Sequence, residues 1–325
     1  RERPADQEFF RFGMGHHRCY RNKATDRFLL MGRSGIELLD VDTGEIVANH
    51  FVRGACQYGI VGCNGLLYAP PHSCACFIQA KLTGFNALAP KASRTPLEPI
   101  PDDQRLTRGP AYPASRREAA VSSQQAASFW PTYRQDPSRS GRAVEAIPTP
   151  SKQLWKTEIG GSLTPPVIAD GRLFVADTDA HAVYAMDANS GQTLWSFSAD
   201  GRIDSPPSVF QEQVYFGSAD GYAYCLRASD GRLVWKFLGA PTDQRIVCYG
   251  QLESAWPVPG NILVVDPPNE PAFACFVAGR TSYLDDGMWL YRLDPVTGKL
   301  LSKTPINSLD EATGVAPQFE ARGVR

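Results

Sequence analysis

Two short stretches near the start of the chain carry side chains able to do more than pack. The first, "HHRC", holds His16, His17 and Cys19 within four residues, and the second, "HSCAC", holds His72, Cys74 and Cys76 within five. Imidazole nitrogen and thiolate sulfur suit zinc, copper or iron, which are commonly bound through three or four such donors. If the fold brings the two clusters together, these six residues form a candidate metal site. Neither cluster contains C-x-x-C or a finger-type spacing, so other fates for the thiols stand beside this one. The eight cysteines, at 19, 56, 63, 74, 76, 225, 248 and 275, allow one or two disulfides, inert thiols such as Cys56 and Cys63 flanking a strand, or a reactive thiol. Cys225 and Cys275 lie inside apolar alternations, which predicts core packing for both. The C-x-x-C-H signature for covalent haem is absent, as are nucleophile-elbow, phosphate-loop and metalloprotease-helix signatures.

The elements that must position these residues are strands. Glycine (28) and proline (26) punctuate short apolar alternations such as "DRFLLMG" (26–32), "NGLLYAP" (64–70), "GRLFVAD" (171–177) and "EQVYFGS" (212–218). Sustained helical spacing is missing, so the chain reads as all-β. Trp155, Trp195 and Trp235 are spaced by 40 residues, and Gly191 and Gly231 by the same 40. A period near 40 with about four strands per unit predicts the blades of a β-propeller. In each unit a proline-rich lead-in is followed by strands, then by a glycine-closed turn before the tryptophan. The turns "DVDTG", "DANSG" and "DPVTG" pair Asp40 with Gly44, Asp187 with Gly191 and Asp294 with Gly298. The aspartate can accept turn N–H groups while the glycine takes a positive φ.

The blade count divides the chain into residues 1–92, with about two blades, and 129–325, with about three and the start of another from Gly314. The stretch 93–128 between them is rich in Pro, Ser, Ala and charge and has no strand pattern. It is expected to be a linker between two incomplete propellers or a surface insertion in one. Within the long fifth unit, Glu253 in "QLESAW", Arg280 in "AGR" and Asp285 and Asp286 in "YLDDGMW" are candidates to line a central channel. A plain turn is the simpler reading of "DDG".

Charge and hydropathy narrow the function. The 325 residues carry a formal net charge of −1, with 43% hydrophobic and 21% charged residues, so no electrostatic footprint for nucleic acid is present. No apolar run of about 18 residues suggests a membrane-spanning helix. The chain begins at Arg1 and stops in "EARGVR", which reads as a fragment or processed chain, incomplete at one or both ends.

The pattern "YAMDANSGQTLW" (184–195) resembles the pyrroloquinoline-quinone (PQQ)-type repeat of bacterial quinoprotein alcohol dehydrogenases and of outer-membrane assembly lipoprotein propellers. "WPTYRQDPSRSG" (130–141) is similar to a segment that often opens such propellers. The resemblance implies seven or eight blades, tryptophans that dock blade on blade, and an exported protein of the periplasm, cell envelope or extracellular space. In the enzymes it also implies PQQ beneath a disulfide of adjacent cysteines. Here the closest pair, Cys74 and Cys76, is separated by Ala75, a departure that counts against the quinone. Two functions follow as expectations. One is an exported binding or scaffold module for a protein or carbohydrate ligand; the other is a quinoprotein-like or metal-dependent oxidoreductase using the His/Cys clusters.

Overall fold

The computed structural model describes residues 21–32, 35–49, 52–71, 82, 84–89, 97–113, 130–143, 149, 151–248, 250–282 and 287–307. Its strands follow the alternations. β1 (Lys23–Ala24), β2 (Phe28–Met31), β3 (Ile36–Asp40) and β4 (Ile46–Asn49) form one antiparallel sheet in chain order. β5 (Val61–Cys63), β6 (Leu66–Ala69) and β7 (Asn86–Leu88) form a three-stranded sheet, and Leu30, Ile36, Val52, Ile60 and Ala69 make the small core of this part. Three larger blades follow. The first comprises β9 (Val167–Ala169), β10 (Arg172–Asp177), β11 (Ala182–Asp187) and β12 (Thr193–Ser198); the second comprises β13 (Ser208–Phe210), β14 (Gln213–Gly217), β15 (Tyr222–Arg227) and β16 (Leu233–Leu238). The third comprises β19 (Leu263–Val265), β20 (Phe273–Ala278), β21 (Met288–Leu293) and β22 (Leu300–Ile306). Four-stranded antiparallel sheets that meander in chain order and stack face to face are the blades of an incomplete β-propeller.

The β13–β16 blade is buried on both faces, which is why its strands are apolar at consecutive positions. Val214, Phe216, Tyr224 and Leu226 pack toward Phe174, Val183 and Ala185 of the preceding blade. Their sequence neighbours Tyr215, Ala223 and Cys225 pack toward Ala274, Phe276 and Tyr291 of the next. Cys225 is a buried thiol in this core, as its strand pattern predicts, while Cys275 is half-buried. Of the tyrosines on the third strand of each large blade, Tyr224 donates to Asp220 and Tyr291 to the Gly239 carbonyl at 2.8 Å, while Tyr184 is half-buried.

Each tryptophan of the repeat reaches forward to the next turn. The indole N–H of Trp155 donates to the Ala188 carbonyl at 2.9 Å, that of Trp195 to Ala228 at 2.9 Å and that of Trp235 to Pro295 at 3.0 Å. The rings lie against glycine: a Cβ on Gly191, Gly231 or Gly298 would come within 2.5 to 2.7 Å of the Trp155, Trp195 or Trp235 ring respectively. In the turns, the Oδ1 atoms of Asp40, Asp187 and Asp294 each accept two backbone N–H groups, two and three residues on. At the fourth turn Arg227 replaces the aspartate and pairs with Asp230, yet the Gly231 N–H still reaches the Arg227 carbonyl at 2.9 Å. Glycine is therefore the stricter requirement. Gly231→Ala is expected to cost about 2–4 kcal/mol, from its φ of +70° and the overlap with Trp195, measurable as a shift in the urea midpoint.

Two features depart from the sequence reading. The fifth unit is interrupted: β17 (Arg245–Cys248) and β18 (Gln251–Ser254) form a separate hairpin before its four strands begin. Within 93–128, which shows no strand pattern, β8 (Leu106–Arg108) is a strand that pairs with β16 and makes a fifth strand on that blade. This strap is anchored by buried Arg105, whose guanidinium donates to the carbonyls of Leu238, Ala240 and Ile100.

Buried Asp220, in the β14–β15 connection, accepts from the Tyr222 N–H and the Tyr224 hydroxyl. Burial is the main cause that raises its pKa above the ordinary carboxylate value. The folded state therefore keeps this proton to higher pH than the unfolded chain does. The resulting stability is present at acid pH and lost as pH rises through the folded pKa. Asp220→Asn, which keeps the acceptor for Tyr222 without the charge, is expected to flatten this fall. Melting temperatures of both proteins between pH 4 and pH 7 check it: the variant should gain on the wild type as pH rises.

Candidate functional site

The inserted hairpin walls a cleft. Gly298 follows Gly231 by 67 residues instead of 40, and the added length lies at the blade ends opposite the aspartate–glycine turns. The cleft, about 590 Å³, is lined by Asp179 from the β10–β11 connection, Arg202 and Asp204 from β12–β13, Gln251 and Glu253 from β18, and Arg280 after β20. Pro257, Pro259 and Gly279 complete its walls.

Its floor is a buried carboxylate between two guanidinium groups. Alternation along β18 turns Glu253 inward with 1% of its surface exposed, while Leu252 points to solvent. Arg280 Nη2 donates to Glu253 Oε2 at 2.6 Å, and Arg202 Nη1 lies 3.1 Å from Glu253 Oε1. Arg202 also grips Asp204 through both carboxylate oxygens, at 2.8 and 3.2 Å. Burial works against the Arg202 charge, but the hydrogen bond and charge of Asp204, helped by Glu253, raise its pKa above the ordinary arginine value. Arg280 donates to the Ser254 carbonyl at 3.2 Å and lies 3.5 Å from Cys248 Sγ. Burial pushes the Cys248 thiol up despite that guanidinium, so Cys248 sits here as a neutral thiol. The hairpin is tied to the first large blade by His181 Nε2 and Gln251 Oε1, 2.9 Å apart. The cleft thus presents fixed charges of both signs between proline walls.

Of the residues that sequence reasoning singles out, Glu253 and Arg280 meet in this cleft. His16, His17, Cys19, His72, Cys74, Cys76, Asp285 and Asp286 lie outside the described residues. Among the described residues no group of three His, Cys, Asp or Glu side chains is placed to hold a metal. Cys63, Cys225, Cys248 and Cys275 are free thiols; Cys63 is exposed and Cys56 half-buried, so the pair does not form buried flanks of a strand. Arg202, Asp204 and Asp179 were missed. The signal for Arg202 and Asp204 was a charged pair in "DGRIDSPP", a lead-in that in "GGSLTPP" carries no charge.

The family described as outer membrane protein assembly factor BamB matches residues 140–318, which contain the three large blades, the hairpin and the cleft. The chain belongs to this family. BamB of Nitrosomonas eutropha is 29% identical over 97 residues, covering 30% of this chain and 24% of that protein. Tetrathionate hydrolase of Acidithiobacillus ferrooxidans is 33% identical over 89 residues, covering 26% and 17%. The matched stretches thus span a quarter or less of these relatives. A quinohemoprotein alcohol dehydrogenase from Comamonas testosteroni, of known structure, overlaps 58% of this chain and 29% of its own, at 18% identity and a TM-score of 0.42. In this BamB-family chain the 40-residue repeat supplies the frame, and the hairpin adds the cleft. No helix among the described residues is long and apolar enough to cross a membrane.

Proposed function

We propose that this chain is part of a cell-envelope propeller that acts as a docking module for a protein component of outer-membrane assembly. The observation that carries this reading is the cleft built on Glu253, Arg202 and Arg280, an addition to the repeat that the blades themselves do not need. Membership of the BamB family supports the assembly context. A protein ligand suits the site better than a carbohydrate, because the charges are already paired and stand between proline walls, which favours a complementary charged loop. The metal- or quinone-dependent alternative rests on the His/Cys clusters, which lie outside the described residues.

Photo-crosslinking in living cells tests the reading. A photoreactive residue at Asp179, on the cleft, is expected to capture an outer-membrane assembly protein. One at Asn189, in the turn at the opposite ends of the blades, is not. Equal capture from both positions, or none from Asp179, would overturn the proposal.

A further inference from the structure

The three large blades treat their outer edges differently. In an antiparallel blade the last strand exposes a row of unpaired N–H and C=O groups, a template for any extended chain unless it is covered, charged or interrupted by proline. β16 is covered by the strap, whose Gly109 N–H reaches the Val234 carbonyl at 2.8 Å and whose Arg105 carbonyl accepts the Leu238 N–H at 2.9 Å. β22 is blunted by Lys303 and Pro305 within the strand. β12, "TLWSFS", contains neither charge nor proline, and among the described residues it pairs only with β11.

Positions 154, 194 and 234 occupy the same place in the 40-residue repeat. Under the strap Val234 is 2% exposed, whereas Leu194 is 49% and Leu154 72% exposed. The adjacent tryptophans agree, Trp235 being fully buried and Trp195 only partly. Blade edge β12 thus displays the backbone and apolar groups that β16 satisfies with an added strand.

From this we infer that β12 is a strand-addition site for an extended segment of a partner protein. Its chemistry is that of the strap: a leucine to lie near the tryptophan and the following glycine turn, alternating with hydroxyl or basic side chains. Leu106 does this against Trp235 and Gly298; Trp195 and Gly231 offer the same corner on β12. A second copy of this chain is a poorer occupant, because its strap is locked on its own β16 by buried Arg105. The partner class rests on the docking function proposed above, while the geometry of the β12 edge does not.

The test uses the full chain and a labelled peptide of its own residues 103–113, DQRLTRGPAYP, as a probe of strap chemistry. We expect saturable binding with slowed amide exchange at Ser196 and Ser198, which face outward in the register that Val234 and Leu238 define on β16. Ser196→Pro removes an edge donor and should weaken binding about tenfold or more. Leu194→Lys, at a position already exposed, should do the same without touching the core. No binding, protection at 233–238 instead, or equal binding by both variants would overturn the inference. So would concentration-dependent dimerisation that Leu194→Lys abolishes, which would assign the edge to a second copy. Crosslinking at Asp179 probes the cleft alone, so failure there and failure at β12 are separable.

Discussion

Trp235→Ala is expected to lower the unfolding free energy by about 3–5 kcal/mol, read as a fall in the urea midpoint with little change in slope. Three losses add in this one residue. The indole is fully buried between blades, so its removal opens a cavity against Tyr215, whose ring centroid lies 6.0 Å away, and against Leu106 of the strap. Its N–H leaves the Pro295 carbonyl without that donor. It also unseats Gly298, whose turn positions β22 against β21. Trp195→Ala makes the internal comparison: the same hydrogen bond and the same glycine contact are lost, but from a half-buried ring. Its cost should be nearer half. Trp235→Phe separates the causes, because it retains most of the apolar area and sacrifices the hydrogen bond, for about 1–2 kcal/mol. If Trp155, Trp195 and Trp235 cost the same, burial by the strap would not be what distinguishes the third.

The repeat was legible in sequence because its physics is local. A carboxylate that caps its own turn, a glycine at positive φ and a strand two residues wide in period leave marks within fifteen residues, as "YAMDANSGQTLW" does. The tryptophan's destination was less so; only the 40-residue period that the tryptophans share with Gly191 and Gly231 hinted that one blade's ring rests on the next blade's glycine. The strap was invisible for a physical reason. β8 is held by backbone hydrogen bonds to an edge and by the Arg105 guanidinium on carbonyls, and neither demands an alternating pattern. The cleft was half legible. Glu253 and Arg280 stood out as charges in an apolar stretch, but Asp179, Arg202 and Asp204 come from connections 76 to 101 residues before Arg280 that converge only when blades stack.

Glu253→Ala is expected to cost a further large amount, about 3–5 kcal/mol, and to abolish crosslinking from Asp179. The carboxylate is the shared anion for Arg202 and Arg280, both largely buried at the cleft floor. Removing one member of a buried ion cluster leaves the remaining charges desolvated, which is worse than never having buried the cluster. Arg202 keeps Asp204, whereas Arg280 loses its 2.6 Å contact with Glu253 Oε2. That asymmetry makes a second substitution informative. Arg280→Met in the Glu253→Ala background removes the guanidinium that Glu253 faced and should recover part of the lost stability, a coupling that a double-mutant cycle isolates. Glu253→Gln keeps the shape and an acceptor for Arg280 while deleting the charge, and should fall between wild type and alanine. Stability and docking should then part company: the double variant regains the fold but not the crosslink, because the paired charges that shape the cleft are gone. Recovery of both would mean that the cluster holds the hairpin in place and that recognition lies elsewhere on the blade ends.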